Sequence, residues 1–169
     1  MVRGSEVAAV SVDFAEWVAA RGPSLLRLAY LLTGNRAEAE DVVQDALSRA
    51  LPRWSRISSL EDPDAYVRRM VINAHTSWWR RFRRRESPVE AVPDRVGADA
   101  TGSSDDRLLV WQACLRLPED QRVAVVLRYW EQREYAEIAA LTGVAEGTVR
   151  SRVSRGIAAL RTDLGERDD

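Results

Sequence analysis

The chain has no lysine, one cysteine (Cys114) and one histidine (His75) among its 169 residues. Each shortage removes a class of answer. A lone cysteine excludes a disulfide framework, and one Cys with one His cannot supply the three or four soft ligands of a zinc site; neither a metal nor a cofactor is expected. A reducing cytoplasm is the default compartment. No stretch approaches the roughly 18 apolar residues of a membrane span, and the first dozen residues carry one Arg and only short apolar runs, so neither membrane insertion nor export is expected. Also missing are a glycine-rich phosphate loop and any Cys or Ser with a plausible His partner. The acid pairs fall on solvated faces, and an enzyme is not expected.

What the chain does contain is charge in blocks. Its 25 basic residues, all Arg, nearly balance 26 acidic ones, for a net charge of −1. An all-Arg set beside abundant Ala and Val fits the codon bias of a GC-rich genome, so placement informs more than the count. Seven Arg and no acid fall between Arg68 and Arg85, whereas Glu86 to Asp106 holds six acids and one Arg. The near-zero net charge is a cancellation between segments.

Apolar residues recur at helical rather than alternating spacing, which predicts an all-α protein. Asp13 and Glu16 have capping-box spacing ahead of Phe14, Trp17 and Val18, and Gly22-Pro23 should break or kink the stripe before Leu25, Leu28, Ala29 and Leu32. Asn35 and Glu38 repeat the cap spacing before a face of Ala39, Val42, Val43, Ala46, Leu47, Ala50 and Trp54. A loop is expected over Arg56 to Asp64, then a helix from Pro63 to about Arg84. Residues 86–104, rich in Pro, Gly, Ser and acids, cannot offset their ordering entropy by burial and are expected to form a flexible linker. Four further helices are expected at Leu108 to Leu115, Pro118 to Trp130, Tyr135 to Leu141 and Thr148 to Leu164. The architecture is therefore two small helical domains, 13–85 and 105–165, joined by an acidic tether.

Three constellations bear on function. In the last two helices, Glu137-Ile138-Ala139, the turn Gly143, and Val149, Val153, Ile157 and Leu160 have helix-turn-helix spacing. At 100° per residue that stripe leaves Gly147, Thr148, Ser151, Ser154 and Arg155 on the opposite face, flanked by Arg150 and Arg152. Short hydroxyl side chains let backbone approach a major groove, and Arg can reach phosphates or guanine edges. In the Arg-rich helix, Val67, Met70, Val71, Ala74 and Trp78 share one face, while Arg69, Asn73, Thr76, Arg80 and Arg83 form a polar stripe suited to DNA. Trp78 belongs with the core; Trp79 stands about 100° away, where it is a candidate for stacking on an unpaired base. His75 is expected to pack or hydrogen-bond rather than ligate. The third is acidic: Asp41, Gln44, Asp45 and Ser48 face away from their helix's apolar stripe and could dock on a basic protein surface. Cys114, at core spacing, is expected to be packed.

On these residues the chain resembles the compact, two-domain sigma factors of the extracytoplasmic-function group of the sigma-70 family. The resemblance rests on Ala39-Glu40-Asp41-Val42-Val43-Gln44-Asp45, Tyr66-Val67-Arg68-Arg69 with Asn73, Trp78-Trp79-Arg80-Arg81, Leu117-Pro118, Leu127-Arg128-Tyr129, Glu137-Ile138-Ala139 and Gly147-Thr148-Val149-Arg150-Ser151-Arg152. Ser77-Trp78-Trp79-Arg80-Arg81 is like the SigE-like subgroup. The resemblance implies that Asp41, Gln44, Asp45 and Ser48 bind core RNA polymerase. It further implies that Arg69, Asn73, Thr76, Trp79, Arg80 and Arg83 read and open the minus-ten element, that the loop Ile57 to Pro63 pockets a flipped base, and that the helix from Gly147 reads the minus-thirty-five element. Core polymerase, promoter DNA and an anti-sigma factor are the implied partners of a chain otherwise monomeric. Two departures from the family pattern are Glu134, where a hydroxyl cap is common, and Thr142, where a larger apolar residue is usual. The rival readings are a stand-alone helix-turn-helix regulator, which would carry a receiver or ligand domain with strands, and a helical adaptor that binds only protein.

Overall fold

Helical spacing of the apolar residues leaves helix-on-helix packing as the way to bury them. In the computed structural model, which describes residues 3–82 and 104–165, that is how the core is made. The first group comprises α1 (Arg3–Thr33), α2 (Arg36–Ala50), a single 3₁₀ turn at Leu51–Arg53, α3 (Trp54–Ile57) and α4 (Pro63–Phe82). The second comprises α5 (Ser104–Cys114), α6 (Glu119–Tyr129), α7 (Tyr135–Thr142) and α8 (Glu146–Gly165). No strand occurs among the described residues, and the fold is all-α. Apart from Ser104, which opens α5, the acidic stretch 86–104 lies outside the described residues.

Two local expectations are corrected. First, α1 runs unbroken through Gly22-Pro23, and Asp13 does not cap it. Pro23 cannot donate to the Ala19 carbonyl, but both residues are exposed, so water can take that role. Apolar packing on either side, through Trp17 and through Leu25, Leu28 and Leu32, keeps both halves helical. The Asp13 carboxylate instead accepts the Trp54 indole N–H at 2.9 Å. Second, the segment expected as a loop begins with the helical turn α3. Trp54 and Ile57 are three residues apart and both fully buried, which a helical turn achieves and an extended strand cannot.

Other signals act as read. The Asn35 side chain accepts from the Glu38 N–H at 3.1 Å and starts α2. Pro63 opens α4, where the Asp62 carboxylate accepts from the Ala65 N–H at 2.9 Å. Trp54 wedges between Phe14 and Trp17, with ring centroids 5.1 and 5.0 Å away. In the second group, Ala113, Cys114, Leu117, Val125 and Leu160 form a core. Burial pushes the Cys114 thiol up to about 11, so near neutral pH it is a protonated, packed group.

The two groups share apolar packing. Leu31 and Leu32 of α1 belong to one continuous cluster with Trp111, Val123, Leu127 and Ile138. Gly34, in the left-handed region at φ +70°, ends α1, and a Cβ there would lie 2.6 Å from Leu115 Cδ1. Absence of a side chain thus serves both the turn and the approach of Leu115, just past the end of α5.

Candidate functional site

The candidate residues fall on three helices, each oriented by its own buried stripe. On α4, Val67, Val71, Ile72 and His75 are buried, with Met70, Ala74 and Trp78 packed against the same core. That rotation leaves Arg69, Asn73 and Arg80 exposed. Thr76 and Trp79 are only half-buried and point toward α6: the Thr76 hydroxyl donates to Glu119 Oε1 at 2.8 Å, and the Arg122 guanidinium lies 4.8 Å from the Trp79 ring centroid. The stripe is therefore split between solvent and a neighbouring helix. One face of the half-buried Trp79 ring is thus taken by a cation of the same chain. Arg83 lies outside the described residues. Trp78 stacks on the exposed Phe82 at 4.9 Å. His75 packs, as expected. Neither ring nitrogen has a hydrogen-bond partner among the described residues. Burial first, and then the Arg122 charge, hold its pKa down to about 4, so the ring is neutral near pH 7.

The helix-turn-helix forms where expected. Gly143 at φ +71° reverses the chain after α7, its N–H closing on the Ala139 carbonyl at 2.9 Å. At the start of α7 the Glu134 N–H donates to the Glu137 carboxylate at 2.8 Å; this bond, with Arg133, holds Glu137 below its ordinary range. The Glu134 carboxylate pairs with Arg128 at 3.3 Å. Thr142 donates its hydroxyl back to the Ile138 carbonyl at 2.7 Å, so a polar residue is satisfied ahead of the turn. Burial of Val149, Val153 and Leu160 turns Gly147, Thr148, Ser151, Ser154 and Arg155 outward. The flanking arginines differ. Arg150 is exposed but held by Glu146 at 2.7 Å and over the Tyr135 ring at 4.3 Å. Arg152 is half-buried and pairs with Asp120 of α6 at 3.3 Å, which makes it a brace between helices as well as an edge of the face.

On α2, burial of Ala39, Val42, Val43, Ala46 and Ala50 leaves Asp41, Gln44 and Ser48 exposed. Asp45 is half-buried, its carboxylate 3.3 Å from Arg49 and its carbonyl accepting from the Ser48 hydroxyl at 2.9 Å. Between α2 and α4 opens a cleft of 270 Å³, with Asp45, Arg49 and Arg53 on one side and Tyr66, Met70, Asn73, Ala74 and Ser77 on the other. The loop Ile57 to Pro63 contributes nothing to its lining.

Comparison with known proteins decides among the readings. Residues 17–86 match the family model for sigma-70 region 2, and residues 107–160 match that for sigma-70 region 4. The RNA polymerase sigma-E factor of Streptomyces coelicolor is 41% identical over 157 residues, covering 93% of this chain and 89% of that protein. This chain belongs to the extracytoplasmic-function sigma factors of the sigma-70 family. The ECF sigma factor SigL of Mycobacterium tuberculosis is 35% identical over 154 residues, 84% of this chain and 83% of that one. Among solved structures, the sigma factor RpoE of Bartonella quintana, in complex with the anti-sigma factor NepR, superposes with a TM-score of 0.72 at 28% identity, covering 90% of this chain and 97% of that one. As a sigma factor the chain is a non-enzymatic factor of promoter-specific transcription initiation that works with core RNA polymerase on promoter DNA. Its region 2 match contains α2 and α4, and its region 4 match contains the helix-turn-helix. Among the described residues no helix is long and apolar enough to cross a membrane.

Sequence reasoning missed the residues that join the two groups: Arg68, Glu119, Arg122 and Glu131. One signal was available. Arg122 directly precedes the five-residue run Val123 to Leu127, all buried, and a charge at the edge of such a run needs a partner. Arg122 is 3% exposed and donates to the carbonyls of Leu32 and Leu115, each at 2.9 Å, and of Leu117 at 3.2 Å.

Proposed function

We propose that this sigma factor docks on core polymerase through Asp41, Gln44, Asp45 and Ser48 of α2 and opens the minus-ten element with Arg69, Asn73, Thr76, Trp79, Arg80 and Arg83. In the same reading it recognises the minus-thirty-five element with Gly147, Thr148, Arg150, Ser151, Arg152, Ser154 and Arg155. Residues 13–85 and 105–165 are the functional units, and 86–104 is the tether between them. The observation that carries the reading is the cleft between α2 and α4. Its polar wall offers Asn73 to hydrogen-bond a base edge, Tyr66 to stack, and Arg49 and Arg53 to hold the backbone, a set suited to a base that has left the duplex. In this reading the cleft takes part in holding the opened strand beside the loop Ile57 to Pro63, which the resemblance implies pockets a flipped base. Because α2 forms one wall, docking on the polymerase and capture of the strand act on a single packed unit.

The partner of Bartonella quintana RpoE is an anti-sigma factor, and we extend that class of partner to this chain. The protein acts in the cytoplasm, where RNA polymerase is, and is monomeric when free. The test adds the purified chain to core polymerase stripped of sigma factors, with a promoter library carrying 2-aminopurine across the minus-ten region. Transcripts whose templates share two spaced elements, with a fluorescence rise on opening, are expected. An active core that yields no promoter-dependent transcript would sink the reading.

A further inference from the structure

We propose that Glu146 is a positioning residue that sets sequence discrimination: with Tyr135 it holds Arg150 in one pose on α8 and withholds it from phosphates of arbitrary sequence. The role presupposes α8 as the reader of the upstream element, as proposed above.

The pose is built from the core outward. Tyr135, the first residue of α7, packs half-buried against the apolar core. Arg128 lies over its ring at 4.8 Å and is itself tied to the Glu134 carboxylate and the Arg133 carbonyl. Arg150 lies over the same ring at 4.3 Å, and its Nη2 donates to Glu146 Oε1 at 2.7 Å. Glu146 and Arg150 stand four residues apart on α8, acid before base, the sense in which such pairs meet on a helix surface. Their side chains are 47% and 59% exposed, so a solvent-facing fork is fixed in direction without being buried. An exposed pair of this kind adds little to stability. Its larger effect is on what the arginine can reach.

The surroundings favour phosphate if nothing opposes it. Gly147 follows Glu146, is exposed, and has nothing within 4 Å of where a Cβ would stand, so a DNA backbone can come close at this corner. The first turn of α8 is also its electropositive end, and the acid in that turn is Glu146. An unheld Arg150 beside this opening would gain from contact with any duplex, by releasing counterions. With Glu146 in place its charge is already compensated, and the carboxylate repels a phosphate brought to the same corner. A base edge in the groove is treated differently. The fork meets it preorganised and keeps the donors not given to Glu146, so a matching edge loses less than a phosphate does. The other flank follows the same pattern: Arg152 pairs with Asp120 at 3.3 Å. Both arginines that flank the outward face thus carry an acid of this chain.

The test uses holoenzyme made with the full chain, with core polymerase alone as the blank. The probe is a duplex pool that shares the downstream half of an active template from the promoter test above and carries ten randomised base pairs in place of its upstream element. Wild-type holoenzyme selects the most enriched duplex. Each variant is then titrated with that duplex and with the unselected pool at several salt concentrations. Glu146→Gln keeps the side chain's size and removes its charge. It should bind the unselected pool more tightly, with a salt slope steeper by about 0.9, the value of one further phosphate. Preference for the enriched duplex should fall about fivefold, the upper range for an exposed ion pair. In an Arg150→Ala background the same change should move neither preference nor slope, because the residue it acts through is gone. Unchanged preference and slope in Glu146→Gln, while Arg150→Ala still weakens the enriched duplex, overturns the role of Glu146 and leaves α8 as the reader. Equal effects with and without Arg150 overturn it as well, since the acid would then act on DNA directly. If Arg150→Ala and Arg155→Ala both leave the enriched duplex bound as tightly as before, α8 is not the reader, and the role of Glu146 falls with that reading.

Discussion

His75 Nε2 lies 3.9 Å from Glu119 Oε1, at a site where the imidazole is fully buried and the carboxylate 15% exposed. The acid does not win the ring's proton equilibrium. Burial and the nearby Arg122 outweigh it, and the pKa falls to about 4.

The sign of the consequence follows. A base whose folded pKa is depressed binds fewer protons folded than unfolded, so its contribution is fully present above pH 6.5. It is lost as the pH falls from 6.5 toward 4. The size is about 3 kcal/mol. Urea denaturation of the wild type should show a steeper loss of stability between pH 7 and 4.5 than that of His75→Leu. Parallel pH profiles for the two proteins would remove His75 as the source.

Trp54 is buried between the Phe14 and Trp17 rings of α1 and donates its indole N–H to the Asp13 carboxylate. Trp54→Ala should cost about 3–5 kcal/mol in urea denaturation. Trp54→Phe keeps most of the packing but leaves Asp13 without its donor, and should cost less.

Gly156 is buried where α8 crosses α6, and a Cβ there would come within 2.7 Å of Val125 Cγ2. Val125 is branched and fully buried, so it cannot swing away. Gly156→Ala should destabilise the protein by about 1–3 kcal/mol despite alanine's better helix propensity, measured as a lower melting temperature. An increase in melting temperature would mean that α8 can shift.

Arg155 makes no ion pair among the described residues, whereas Arg150 is already engaged by Glu146 and Tyr135. Arg155→Ala and Arg150→Ala should each weaken duplex binding by holoenzyme, by about 1–3 kcal/mol for a residue contacting a base bidentately. Titrations at several salt concentrations decide: unchanged affinity and salt slope in both variants would reject α8 as the reader.

Asp41→Arg and Asp45→Arg replace an acidic docking face with a basic one. Affinity for core polymerase should fall more than tenfold, since like charges brought together cost several kcal/mol. The melting temperature should move little for the exposed Asp41. Affinity equal to wild type would place the docking face elsewhere.

Periodicity and punctuation made much of this legible in advance. Asn35, Pro63 and Gly143 act through the backbone within a few residues, and the stripes of α2, α4 and α8 follow from 3.6 residues per turn, so local sequence carries both. Gly22-Pro23 misled because a helix-breaking pair was overridden by packing on both sides of it. That Thr76 and Trp79 each meet a residue of α6 was not legible for a different reason. Their contacts, Glu119 and Arg122, are 43 residues away, as measured for Thr76, and angular position on one helix says nothing about what another helix brings to it. Arg152 is the same case, its partner Asp120 belonging to α6.

The unbroken course of α1 has a mechanical consequence. At Trp17 the helix is pinned to the start of α4 by the indole N–H on Asp64, 3.0 Å, and at Leu32 it is gripped by Arg122. The 15 residues between span about 22 Å of continuous helix. Although Gly22-Pro23 falls within that span, the helix continues through it, so α1 carries contacts of α4 at one end and of the second group at the other.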